Sequence, residues 1–202
     1  MEDNKEKQIF IVLTQTGTIL SRILKLLTGA KYNHSSISLE EDLSYMYSFG
    51  RKNPYNPFIG GFVKESSTIG TFKRFSNTEA LVLGVYVSNE KYQKMKVYLS
   101  QMYDNKTQYH YNYFGLFFAM FGIAFRKNKY YYCSEFVRNI LARFNVVSAT
   151  FSPDIVKPID FLQITDSKKI YKGKLKNFNE LISKNKSFDV TPMCKQHPLV
   201  NA

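Results

Sequence analysis

Hydrophobic positions along the chain change period several times, and each change marks an element. Residues 8–14, with the apolar, β-prone run Ile-Phe-Ile-Val-Leu at their centre, predict a strand. After Thr16-Gly17-Thr18, Ile19, Leu20, Ile23, Leu24 and Leu27 recur at helical spacing and predict a helix ending near Gly29. The period then drops to two. In His34-Ser-Ser36-Ile-Ser38-Leu, Ile37 and Leu39 share one face, and His34, Ser36 and Ser38 share the other. A turn at Glu40-Glu41-Asp42 leads to a second strand around Ser48.

Further along, Asn53-Pro54, Asn56-Pro57 and Gly60-Gly61 predict a loop over residues 51–61. Short strands are expected at residues 62–65 and 71–75, and a stronger one at 80–87. Ser88 is suited to cap a helix running to about Tyr103. Cys133, Phe136, Val137, Ile140, Leu141 and Phe144 predict another amphipathic helix. A turn at Ser152-Pro153-Asp154, a short helix from Lys157-Pro158 and a strand over residues 170–175 complete the expectation. The order of elements suits a single α+β domain. We place it at residues 1–176, with a polar, basic C-terminal tail over 177–202.

Residues 113–125 admit two interpretations. Tyr-Phe-Gly-Leu-Phe-Phe-Ala-Met-Phe-Gly-Ile-Ala-Phe is too short to span a bilayer. It suits a buried helix near the Cys133 helix. It also suits an aromatic surface that dips into a membrane or grips an acyl chain, assisted by Arg126, Lys127 and Lys129.

Candidate chemistry centres on Cys133. It occupies the first turn of its predicted helix, where unsatisfied N–H groups and the helix dipole favour a thiolate. A reactive cysteine also needs a base. Of the three histidines, His197 lies in a polar stretch and His110 in an aromatic one that packing explains. His34 opens a strand on a face of small hydroxyl residues, free to point into a cleft.

Asn33-His34-Ser-Ser-Ile-Ser-Leu, Met46-Tyr-Ser-Phe-Gly-Arg51 and the much later Tyr132-Cys133-Ser-Glu-Phe-Val137 together resemble the permuted papain-like branch of the NlpC-type cysteine peptidases. The YiiX/YebB-like proteins are the group most similar to it. The resemblance covers roughly residues 8 to 165 and implies an antiparallel sheet packed against helices, with the histidine strand first and the cysteine helix last. It further implies a thiol hydrolase in which Cys133 attacks a carbonyl, His34 manages the proton and a third polar residue orients His34. That third residue is expected on the next strand, which here reads Tyr45-Met-Tyr-Ser-Phe-Gly, without carboxylate or amide. Ser48 is the candidate for it, with Gln15, a backbone carbonyl or water as alternatives. Tyr132, directly before the nucleophile, is a candidate for lining the substrate groove, as is Gln15.

The substrate expected is a small peptide or a cell-wall-derived fragment cleaved at an amide. Two alternatives stand beside it: an acyl hydrolase or acyltransferase acting on lipid, and an inactive basic module on the same fold. Cys133 and Cys194 form neither a disulfide framework nor a metal spacing, so no metal or cofactor is expected. The charged start runs straight into a strand without a secretory signal, which makes the cytoplasm or its membrane face the expected location. The formal net charge of +12 suits a solvated basic face, an anionic membrane surface or an acidic substrate. No familiar nucleic-acid motif accompanies it, and no nucleic acid is expected.

Overall fold

The structure is a computed structural model that describes residues 6–17, 29–147 and 154–188. The helix expected over residues 19–27, the Ser152–Pro153 part of the expected turn, Cys194 and His197 lie outside the described residues.

Six antiparallel strands make one mixed sheet-and-helix domain. In chain order they are β1 (Lys7–Gln15), β2 (His34–Ser38), β3 (Met46–Asn53), β4 (Asn56–Glu65), β5 (Glu79–Val87) and β8 (Ser167–Lys174). Their order across the sheet is β4-β3-β2-β1-β5-β8. A small parallel pair, β6 (His110–Tyr111) and β7 (Tyr130–Tyr131), lies apart from this sheet.

The uninterrupted apolar run of β1 follows from its place. It is a central strand covered on both sides. Ile9, Ile11 and Leu13 face a core shared with Ile37, Met95, Leu99, Phe136, Val137 and Ile140. Phe10 and Val12 face a second core with Ala80, Val82, Phe72, Leu175 and Phe178. The first core is closed by α2 (Asn89–Asp104) and α4 (Cys133–Arg143), and the second by α1 (Thr71–Arg74) and α5 (Leu175–Phe188).

Several elements match their sequence signals. Ser88 caps α2, its side chain accepting a hydrogen bond from the Lys91 backbone N–H at 3.3 Å. Pro158 opens a short 3-10 helix, Pro158–Gln163, and the Asp160 carboxylate accepts from the Lys157 N–H at 2.8 Å. Others differ. The segment expected to be a loop over residues 51–61 is mostly strand, because β3 and β4 form a hairpin closing at Asn53↔Asn56. Pro57 is tolerated because β4 is the sheet's edge. Gly60 fits because a Cβ there would lie 2.7 Å from the Tyr113 hydroxyl. Residues 71–75, expected as a strand, form a helical turn that buries Phe72. The helix α5 crosses residue 177, where the composition suggests a tail, and buries Phe178 completely.

The aromatic run resolves into α3 (Tyr113–Met120) and an irregular stretch after it. It is not the buried helix that packing near α4 suggested. Gly115 is its buried position, whereas Phe114, Phe117, Phe121 and Phe125 are exposed.

Candidate active site

His34 is the first residue of β2, and Cys133 is the first residue of α4. The two elements pack together because Phe136, Val137 and Ile140 of α4 join Ile37 in the first core. This packing brings the helix N-terminus to the start of β2. There the Cys133 thiol and the His34 imidazole are close enough for their charges to act on each other. The two halves of the sequence signal, ninety-nine positions apart by numbering, therefore form one site.

The other side of the imidazole meets a carboxylate. His34 Nε2 lies 2.9 Å from Glu65 Oε2 and 3.1 Å from Oε1. Ser36 Oγ donates to Glu65 Oε2 at 2.7 Å and fixes the carboxylate from the next position on the His34 face of β2. Cysteine, histidine and glutamate are linked in series, the nucleophile–base–orienter order that thiol chemistry uses.

Glu65 was not among the sequence candidates. Ser48, the candidate orienter, is fully buried and donates to the Ser35 carbonyl at 2.7 Å. Its hydroxyl braces the strand behind the site and leaves His34 to Glu65. The reason is register. Ile37 pairs with Tyr47, so counting along the antiparallel ladder puts His34 opposite Gly50 and Ser36 opposite Ser48. Gly50 in turn pairs with Gly61, Ser48 with Val63 and Met46 with Glu65. Directly opposed residues share a face, so Glu65 belongs to the face of His34, reached across β3. A sequence signal for this existed: alternation counted through the Pro54-Tyr55 turn puts Glu65 on that face. Treating residues 51–61 as loop hid it.

Gly50 makes the contact feasible. A Cβ there would lie 2.7 Å from Glu65 Oε1 and 3.4 Å from His34 Cε1. Between β2 and β4 only a residue without a side chain leaves the carboxylate this path.

The electrostatics are coupled across the three groups. For His34, burial is the largest single influence and lowers its basicity. The charge and hydrogen bond of Glu65, together with Cys133, outweigh it and push the imidazole up to about 10. For Cys133, burial again acts most strongly and raises the thiol. The hydrogen bond and charge of His34, with backbone N–H groups of Ser35 and Ser134, bring it below its ordinary value. Opposite displacements of this kind describe a thiolate–imidazolium pair.

Two clefts border these residues, one at His34 and one at Cys133. One of about 190 Å³ runs past His34, Gly50, Arg51, Glu65, Phe72 and Tyr111. The other, about 60 Å³, lies against Tyr132, Cys133, Ser134 and Val156. Asn33 and Leu116 border both. Tyr132 is therefore placed beside the nucleophile as the sequence suggested, although it is almost fully buried as the residue capping α4. Gln15 ends β1 opposite Glu79, and its Oε1 is buried without a hydrogen-bond partner. Thr16, its neighbour, is the residue that borders the larger cleft. His110, the other histidine among the described residues, is exposed and lies against Tyr130 at 4.8 Å between ring centroids.

Among the described residues, no cluster of three or more His, Cys, Asp or Glu side chains could hold a metal ion. Also among them, no helix is long and apolar enough to cross a membrane. No family model matches this chain, and neither a curated protein nor a solved structure matches it significantly.

Proposed function

We propose that this protein is a papain-like thiol hydrolase of the permuted NlpC type, cleaving an amide bond in a small peptide or cell-wall-derived fragment. The observation that carries the proposal is the placing of His34 between the Cys133 thiol, whose charge acts on it, and the Glu65 carboxylate 2.9 Å from its Nε2. An inactive module has no evident use for a part-buried carboxylate aligned behind a part-buried imidazole, since such a cluster is costly to desolvate.

In the resting pair, the His34 N–H donates to the Cys133 thiolate. The sulfur attacks the carbonyl carbon, and the carbonyl π electrons move to oxygen. Backbone N–H groups in the first turn of α4, which have no intrahelical acceptors, receive that oxyanion. When the tetrahedral species collapses, the carbon–nitrogen bond breaks and His34 gives its proton to the departing amine. This leaves a thioester and a neutral imidazole. His34 then takes a proton from water, which attacks the thioester; the acid leaves, and the Cys133 thiolate and His34 imidazolium of the resting pair are restored. Glu65 holds the ring in one orientation throughout and stabilises its charged form.

The test is to incubate the full chain with a panel of peptide amides and muropeptide fragments and to follow products and acylated protein by mass spectrometry. A mass addition on Cys133, with product formation lost in Cys133→Ala and His34→Ala, is the expected result. Acylation by fatty acyl esters with no amide cleavage would move the assignment to an acyl hydrolase or acyltransferase. No acylation by any of these, with Cys133 no more reactive than an ordinary thiol, would leave the site without catalytic function.

A further inference from the structure

The hairpin of β3 and β4 and the helix α3 converge on one face at the mouth of the larger cleft. Tyr113 at the start of α3 ties them together. Its hydroxyl donates to the Phe58 carbonyl at 2.6 Å and accepts from the Gly60 N–H at 2.6 Å. Phe58, Tyr113 and Leu116 all border the cleft that contains His34 and Glu65.

This face is unusually apolar for a surface. Phe58 is 80% exposed, Phe114 69%, Phe121 66% and Phe117 52%. Rings on α3 and just after it are contiguous: Phe117 and Phe121 lie 5.2 Å apart between centroids, and Phe118 and Phe125 5.7 Å. Exposed side chains of this size, grouped and bordered by polar residues, mark a surface that meets something else.

Charge narrows what that is. The hairpin, residues 46–65, contains Arg51, Lys52 and Lys64 against one carboxylate, Glu65, which His34 engages. Residues 105–134 contain Lys106, Arg126, Lys127 and Lys129, with no Asp or Glu. Arg126 has a carboxylate neighbour from outside both segments, Asp154 at 3.5 Å. The remaining balance is strongly cationic around an aromatic centre. Aromatic rings inserted at the acyl boundary with lysines and arginines at the headgroup level are the arrangement that anionic bilayers bind.

We infer that α3 and the β3–β4 hairpin form a docking surface for an anionic lipid bilayer, which holds the mouth of the His34–Glu65 cleft against the membrane. None of this depends on what Cys133 does chemically.

Co-sedimentation of the full chain with extruded vesicles tests it, using phosphatidylcholine alone or mixed with phosphatidylglycerol. The chain is expected to sediment with the mixed vesicles and far less with the neutral ones. Phe117→Ser with Phe121→Ser removes two exposed rings and should weaken partitioning by about a hundredfold, roughly tenfold per ring withdrawn from the acyl boundary. Lys127→Glu with Lys129→Glu should weaken it by at least about tenfold, as expected for losing cations near an anionic surface. Both variants should keep the wild-type alkylation rate at Cys133, which shows that the fold is intact.

The proposal is overturned if the wild-type chain stays in the supernatant with mixed vesicles. It is equally overturned if the phenylalanine variant sediments like wild type. Self-association in sedimentation velocity that the phenylalanine variant abolishes, without vesicle binding, would assign the face to a second copy of the chain instead.

Discussion

Nε2 of His34 lies 2.9 Å from Oε2 of Glu65, although the two residues belong to β2 and β4 and β3 runs between them. The carboxylate passes over Gly50 and is held by Ser36, so the imidazole is fixed by a charge that its neighbouring strand does not supply. The proposed reactivity of Cys133 rests on this relationship.

Replacing Glu65 by Gln keeps a hydrogen-bonding group of the same size and removes its charge. The imidazole loses its main stabilising partner and becomes less basic, and the thiolate loses its counter-ion. Alkylation of Cys133 by iodoacetamide at neutral pH should slow by about tenfold or more, with little change in melting temperature. An unchanged rate would remove Glu65 from the mechanism.

Gly50→Ala should reproduce much of that effect from a residue with no chemistry of its own. Its added methyl group would meet Glu65 Oε1 at 2.7 Å, and the flexible end of the carboxylate would move away from His34. Because only a side-chain end is displaced, stability should change by no more than about 1 kcal/mol. Thiol reactivity measured beside that of E65Q decides the matter: wild-type behaviour of G50A would show that Glu65 finds another path to the imidazole.

Stability should depend on pH through the same pair. Folded His34 keeps its proton up to about 10, whereas in the unfolded chain it is released near 6.5. Its contribution is fully present below about 6.5 and is lost as pH rises through about 10. Cys133, shifted below its ordinary 9.0, works in the opposite sense and adds stability with rising pH up to that value. Above 9.0 the thiol is ionised in both states, and only the histidine loss remains. Urea midpoints of wild type and of a His34→Gln, Cys133→Ala double variant should therefore converge above pH 9. A widening gap there would contradict the shifted histidine.

Phe136 tests the scaffold rather than the chemistry. It is almost fully buried, with ring centroids 5.4 Å from Phe49 and 5.2 Å from Phe62, and it fastens α4 to the sheet. Phe136→Ala should cost about 3–5 kcal/mol, read from denaturant unfolding. A loss below about 1 kcal/mol would mean that α4 is held to the sheet by other contacts.

Much of this protein was legible along the chain. The apolar run of β1, the period-two face of His34-Ser-Ser36-Ile-Ser38, the Ser88 cap and the helical spacing after Cys133 all depend on neighbours a few residues apart. Local sterics and hydrogen bonding decide them. Cys133 and His34 were legible as candidates for a related reason: each sits at the end of an element, and element ends show in sequence.

The remaining features required contacts between distant residues. Glu65 became the partner of His34 through the pairing of three strands, and a one-residue slip in either ladder would turn it to the opposite face. The short segment at Phe72 was decided by the core it fills, since four or five residues carry too little propensity to choose between strand and helix. For the aromatic run after Tyr113, hydrophobicity fixed the composition but not the side on which it would be covered. Sequence determined most of the elements and placed Cys133 and His34 at the ends of two of them. Tertiary packing alone decided which carboxylate meets the imidazole and which apolar face stays open, because both depend on the register and stacking of elements far apart in the chain.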